Sequence, residues 1–298
     1  MTYKYKRLQW KYYHCKNDKI SKYRNSLQCE ANRYFEEKEL HQVNRRKREI
    51  KIIISLTSIP ERLPYVQYPI RCMLQQTVKP DKIVLYLDKV RVSEDKIPGE
   101  LLQLRENGLE IEYVEDLGPH TKYFYALQTY SDCYVITIDD DKIYSRTVVK
   151  ELIQTQKKHP GTICARRVAP MKFTQQGIPY PYSSYGEFSD EAVHRGKNLL
   201  ALGVGGILYP PHCLEHMEKD INVIRNIAHN NDDIWLKSQE LLLGLDVVKA
   251  ACIGQRDLPV QGSQVVALCK ENHAYGNNEI LKSVFTHYDL FHFFTGYM

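Results

Sequence analysis

The 298 residues are 43% hydrophobic and 26% charged with a net charge of +5, a balance that excludes global disorder and is long enough to bury a sizeable core. The charge is uneven: residues 1–50 hold 14 Lys or Arg against 6 Asp or Glu, a net +8, which leaves residues 51–298 at −3. Eight scattered cysteines form no C-x-x-C pair, and no signal peptide or run of about 20 apolar residues is present. A zinc site, secretion and a membrane span are therefore not expected, and a cytoplasmic protein is.

In chain order, the basic extension 1–50 comes first, alternating rings and cations at Tyr3, Lys4, Tyr5, Lys6 and Arg7 and ending in the block Arg45, Arg46, Lys47 and Arg48. This is the chemistry of a segment lying peripherally on an anionic membrane surface at the inner face, with a solvated arm that touches nothing as an equal alternative. No nucleic-acid fold follows it, so nucleic acid is not an expected partner. From Lys51 the pattern becomes α/β. Ile52 to Leu56 predicts a buried strand, and Val66 to Gln76 a helix. Ile83 to Leu87 follows as a second strand, Pro98 to Asn107 as a helix and Leu109 to Val114 as a third strand. Tyr123 to Tyr130 predicts another helix, and Tyr134 to Ile138 a fourth strand that runs into Asp139.

Alternation at this spacing implies a mostly parallel sheet with helices on both faces, whose ligands bind at the carboxyl ends of the strands. Thr57, Asp88, Asp116 and Asp139 then share one rim, and residues 170–186, rich in Pro, Gly and Tyr, read as a loop over it. The expected organisation is the extension 1–50 followed by one domain, 51–298, with a nucleotide-binding half at 51–141 and an acceptor-binding half at 142–298. An excess of tyrosine, 22 against 8 phenylalanines, suits sugar, nucleotide or interfacial contacts.

The triplet Asp139, Asp140 and Asp141 at the exit of a buried strand is the most telling feature. Three adjacent carboxylates repel unless a cation or donors compensate them, and their hard oxygens suit Mn2+ or Mg2+ with coordination positions left for a diphosphate. A solvated acidic turn or helix cap is the plain alternative.

With this triplet the chain resembles the GT-A fold glycosyltransferases, in the style of family 2, over roughly residues 50–245. The resemblance implies an Asp-x-Asp element in which Asp139 and Asp141 hold a metal that grips the diphosphate of a nucleotide-sugar, most simply a UDP-sugar, with Asp140 beside the donor. It implies that the loop Thr57, Ser58, Ile59, Pro60, Glu61, Arg62 wraps the nucleoside, with Arg62 meeting phosphate. Asp88 and Asp116 stand where relatives recognise the base, although either fits a loop cap equally well. Lys122, after the Gly118-Pro119 turn, resembles the cation aimed at the donor diphosphate.

Gly205 and Gly206, in the Gly203 to Tyr209 segment, are expected to line the sugar site, or else to belong to a buried strand. Asp232, Asp233, Ile234, Trp235 and Leu236 resemble the Glu-Asp-x-x-Leu pattern of inverting relatives. Matched residue by residue, Asp233 is the catalytic base and Asp232 stands in the Glu place. Trp235 and Tyr209 are candidates to touch the acceptor, and His273 is the candidate third metal ligand. The implied activity is metal-dependent transfer of a sugar to a glycan or lipid-linked glycan acceptor. A magnesium-dependent sugar nucleotidyltransferase is the runner-up, although the first loop has no glycine. A non-catalytic carbohydrate- or membrane-binding module is the third reading.

Overall fold

The computed structural model describes residues 40–188, 192–252, 257–263 and 276–296. Most of the basic arm and His273 lie outside these residues. The first half alternates as the sequence predicts. Strands β1 (Ile52–Thr57), β2 (Lys82–Asp88), β3 (Leu109–Val114) and β4 (Tyr134–Thr137) are separated by helices α1 (Gln67–Leu74), α2 (Gly99–Gln103) and α3 (Thr121–Thr129). These four strands are parallel, in the order β3-β2-β1-β4, with Ile54 opposite both Ile83 and Ile136.

The second half contributes shorter elements. They are β5 (Lys142–Ile143), α4 (Val148–Lys158), β6 (Ile163–Ala165), β7 (Val168–Pro170), β8 (Arg195–Gly196), β9 (Leu199–Ala201) and β10 (Ile207–Tyr209). After these come α5 (Ile221–Asn226), α6 (Asp232–Leu242), β11 (Val247–Lys249), β12 (Leu258–Pro259) and α7 (Asn277–His287). The sheet continues from β4 as β10-β6-β11-β8 to eight strands, while β5 pairs with β12 and β7 with β9. β10 runs antiparallel to both β4 and β6, and β8 antiparallel to β11. This orientation matters for the site, because an antiparallel β10 begins at the rim where β4 ends, with Ile207 opposite Thr137.

The period-two pattern of the strands sorts their side chains onto two buried faces. Ile52, Ile54, Leu56, Ile83, Leu85 and Ile136 face one core, which α1 and α4 cover with Ile70, Met73, Val149 and Leu152. Ile53, Val84, Tyr86, Val135 and Tyr209 face the other, which α3, α6 and α7 cover with Tyr123, Phe124, Ile234, Trp235 and Phe285. The last residues of the extension already belong to this architecture. Val43 N–H donates to Asn107 O (3.0 Å), the Arg48 guanidinium meets Asp81 at 3.2 Å, and Leu40 and Val43 pack on the first core. Among the described residues no helix is long and apolar enough to cross a membrane.

Candidate active site

The rim gathers the ends of the parallel strands and the first turns of two helices. After β4, Ile138 is buried and Asp139 emerges with its N–H donating to the Tyr144 hydroxyl (2.8 Å). The three carboxylates then diverge, each toward its own cation. Asp139 Oδ1 lies 3.0 Å from Lys122 Nζ. Asp140 accepts from Ser58 Oγ and Arg62 Nη1, both at 2.7 Å. Asp141 Oδ1 lies 2.8 Å from Lys142 Nζ, and its Oδ2 is 3.9 Å from Arg62. The repulsion inherent in the triplet is thus resolved by three basic side chains from three different segments. Burial opposes the charge on Asp139, but the Lys122 and Lys142 ammonium groups outweigh it and hold the carboxyl below its ordinary range. Burial dominates at Asp140 and pushes its carboxyl up to about 6 despite Arg62.

Lys122 is only 7% exposed on the first turn of α3, and its Nζ reaches a second carboxylate, Asp232 Oδ2, at 2.9 Å. Burial works against its charge, but Asp139, Asp232 and Asp233 together raise its pKa well above the usual lysine value. Asp232 and Asp233 open α6, whose N-cap Asn231 accepts from Ile234 N–H (2.9 Å), and the helix start favours negative charge. Asp233 Oδ1 accepts the Gly203 N–H at 3.0 Å. Even so, burial and the adjacent Asp232 charge raise the Asp233 pKa well above the usual carboxylate range. A Cβ on Gly203 would lie 2.8 Å from Lys122 Nζ and 3.3 Å from Asp233 Oδ1, so a methyl group here would push the Lys122 ammonium out of its place.

Several residues absent from the sequence reading hold this cluster. His120 is fully buried. Its Nε2–H donates to Ala228 O (2.9 Å) and its Nδ1 accepts from Tyr123 Oη (2.6 Å), which ties the Lys122 turn to the segment entering α6. Burial pushes this imidazole down to about 4, so it serves as a neutral strut. Tyr144 and Lys142 brace Asp139 and Asp141. Tyr182, on the loop expected to cover the site, is held by Asn278 through its N–H (2.8 Å). Its phenol is pushed up by burial and by the nearby charges of Asp233 and Asp232. The Pro-, Gly- and Tyr-rich tract was the available signal for Tyr182. A histidine next to a Gly-Pro turn gave none for His120.

Other expected site residues lie on the rim but are locally engaged. Thr57 Oγ1 donates to Tyr86 O (2.9 Å). Asp88 accepts from Val90 N–H (2.9 Å), and Asp116 accepts from Gly118 N–H (2.8 Å). Gly206 takes φ +90 in the turn into β10, and a Cβ on Gly205 would meet the Arg167 side chain at 2.8 Å. Trp235 and Tyr209, expected to touch an acceptor, lie instead in the core. Both are fully buried, and Trp235 stacks on Tyr123 at 5.8 Å between ring centroids, so neither ring presents a face to a ligand.

The donor chemistry fits a divalent cation. Asp139 and Asp141 are two hard-oxygen carboxylates at one strand exit, and each already holds a positive group. Among the described residues no three His, Cys, Asp or Glu side chains form a ready-made cage. Two carboxylates leave coordination positions that the oxygens of a diphosphate would suit, as Mg2+ and Mn2+ favour at phosphates.

No protein-family model and no curated protein matches the sequence. Solved structures are similar to it in fold. A mannosyltransferase from Pyrobaculum calidifontis, in complex with GDP-Man and Mn2+, aligns over 91% of this chain and 77% of its own with a TM-score of 0.50 at 11% identity. S. aureus TarS aligns over 69% of this chain and 59% of its own (TM-score 0.46, 16% identity). A CMP:2-keto-3-deoxy-manno-octonic acid synthetase complexed with CTP covers 69% and 93% (TM-score 0.39, 12% identity). Identities this low speak to the fold alone, and only the first of these structures is similar enough to support it. Together with the mixed eight-stranded sheet, the likeness to the mannosyltransferase makes the chain an α/β protein with a GT-A-like fold.

Proposed function

We propose that this chain is a divalent-metal-dependent glycosyltransferase that moves a sugar from a nucleotide-sugar to a hydroxyl of a glycan or lipid-linked glycan, with inversion at the anomeric carbon. The observation that carries the reading is the Lys122 bridge. One ammonium, 3.0 Å from Asp139 and 2.9 Å from Asp232, joins the strand-end carboxylate of the donor rim to the acidic start of α6 in one charged cluster. Asp139 and Asp141 would hold Mn2+ or Mg2+, which supplies charge neutralisation at the diphosphate. Thr57, Asp88 and Asp116 border the donor, and the Ser58 and Arg62 pairing with Asp140 fixes the loop between them.

Gly203 N–H occupies one oxygen of Asp233 and leaves the other for the acceptor. Asp233 takes the acceptor O–H proton as the new C–O bond forms. The sugar–phosphate bond breaks, and its electron pair leaves with the nucleoside diphosphate, toward which Lys122 contributes charge. Tyr182 takes over the acceptor-facing place that Trp235 and Tyr209 vacate. The basic extension is read as the contact with an anionic membrane surface.

Product analysis tests the reading. Nucleoside diphosphate released from a nucleotide-sugar supports transfer, whereas pyrophosphate released from a nucleoside triphosphate in the presence of a sugar or sugar phosphate would indicate the nucleotidyltransferase. Two further outcomes are expected. The base must be ionised to act, and the folded protein favours its protonated form. The pH profile of kcat should therefore rise with pH through an apparent pKa above the usual carboxylate range, and this acidic limb should be absent in Asp233→Asn. Gly203→Ala would press a methyl group against Lys122 and Asp233, and should lower kcat on the order of 10²-fold with a nearly unchanged melting temperature.

A further inference from the structure

Lys122 already holds one oxygen of a carboxylate assigned to the metal. Its Nζ lies 3.0 Å from Asp139 Oδ1, the carboxylate assigned to the metal in the proposed function on which this inference rests, and 2.9 Å from Asp232 Oδ2. Gly203 packs against the same ammonium, which is enclosed at 7% exposure. A divalent ion brought to Asp139 meets a positive charge already within contact distance, in a setting where water screens poorly. The lysine stem is flexible, and the ligand that would draw its ammonium off Asp139 is another anion. A nucleoside diphosphate carries such oxygens, whereas bare metal does not.

We propose that Lys122 is a stand-in cation on Asp139 that the diphosphate of the incoming donor displaces, with Asp232 as its pivot, so that metal and nucleoside diphosphate bind synergistically. The coupling is reciprocal: the nucleotide raises metal affinity by the factor by which the metal raises nucleotide affinity. Asp232 is thereby a positioning residue acting through Lys122.

The test is isothermal titration calorimetry of the full chain with Mn2+, alone and in the presence of UDP or GDP. In the parent protein, Mn2+ is expected to bind on the order of tenfold or more tightly when nucleotide is present. In Lys122→Gln, Mn2+ alone should bind on the order of tenfold more tightly than in the parent, while the advantage given by nucleotide shrinks by a similar factor and keeps only the part that direct contact between metal and diphosphate supplies. A general charge effect would tighten Mn2+ equally with and without nucleotide and leave the synergy intact, which overturns the proposal.

Asp232→Asn keeps the shape of the side chain and serves if Lys122→Gln does not fold. Leaving Lys122 with Asp139 as its carboxylate partner, it should weaken Mn2+ alone and keep the synergy at or above the parent's. A lower synergy there overturns the proposal as well. A parent that binds neither Mn2+ nor either nucleotide overturns the proposed function itself. A parent that binds both without synergy overturns the displacement alone.

Discussion

Asp233→Asn is expected to lower kcat by about 10²- to 10⁴-fold, the contribution of a positioned general base, while binding of Mn2+ and nucleoside diphosphate stays near the parent's. The asparagine retains an oxygen for the Gly203 N–H, which the parent holds at 3.0 Å, and it keeps the size of the side chain at the start of α6. It cannot accept the acceptor's proton. The effect should therefore fall on kcat with donor present rather than on donor affinity, the mark of an interaction made only in the transition state. Steady-state release of nucleoside diphosphate, measured beside the melting temperature of each protein, separates this from a loss of fold. Activity within tenfold of the parent would place the proton acceptor elsewhere, and a retained anomeric configuration in the product would assign Asp233 to substrate orientation.

Asp141→Asn should act at the metal rather than at the acceptor. It removes the charge of one of the two carboxylates assigned to the metal, which otherwise lies against Lys142 at 2.8 Å. A metal ion at a diphosphate is worth several kcal/mol of transition-state stabilisation, so kcat/KM should fall on the order of 10²- to 10³-fold. Apparent Mn2+ affinity should weaken in parallel. The two variants are thus expected to divide cleanly, Asp141→Asn by metal titration and Asp233→Asn by turnover at saturating metal.

Much of the frame was legible because local chemistry dictates it. Ile52 to Leu56 and Ile83 to Leu87 are apolar and rich in branched residues, which suits strands buried on both faces, and they became β1 and β2. Leu109 to Val114 matches β3 at both ends. The rim also followed, since a parallel sheet puts its strand ends on one side. The direction of β10 was not legible, because pairing across the Gly203 to Gly206 turn depends on contacts between segments distant in sequence. The same limit hid the partners of the triplet. Asp140 is set apart by accepting hydrogen bonds from Ser58 and Arg62, some 80 residues earlier, a distinction that no spacing encodes. Trp235 and Tyr209 misled for a different reason. A ring beside a catalytic acid suits stacking on a sugar, but on α6 and β10 both side chains point into the second core.

The most direct measurement is a screen of nucleotide-sugars for metal-dependent release of nucleoside diphosphate, run with the parent and Asp141→Asn in the presence of Mn2+ and of a chelator. The account predicts release by the parent that requires Mn2+ or Mg2+ and collapses in the variant. Equal hydrolysis by the two proteins, with no need for metal, would contradict it.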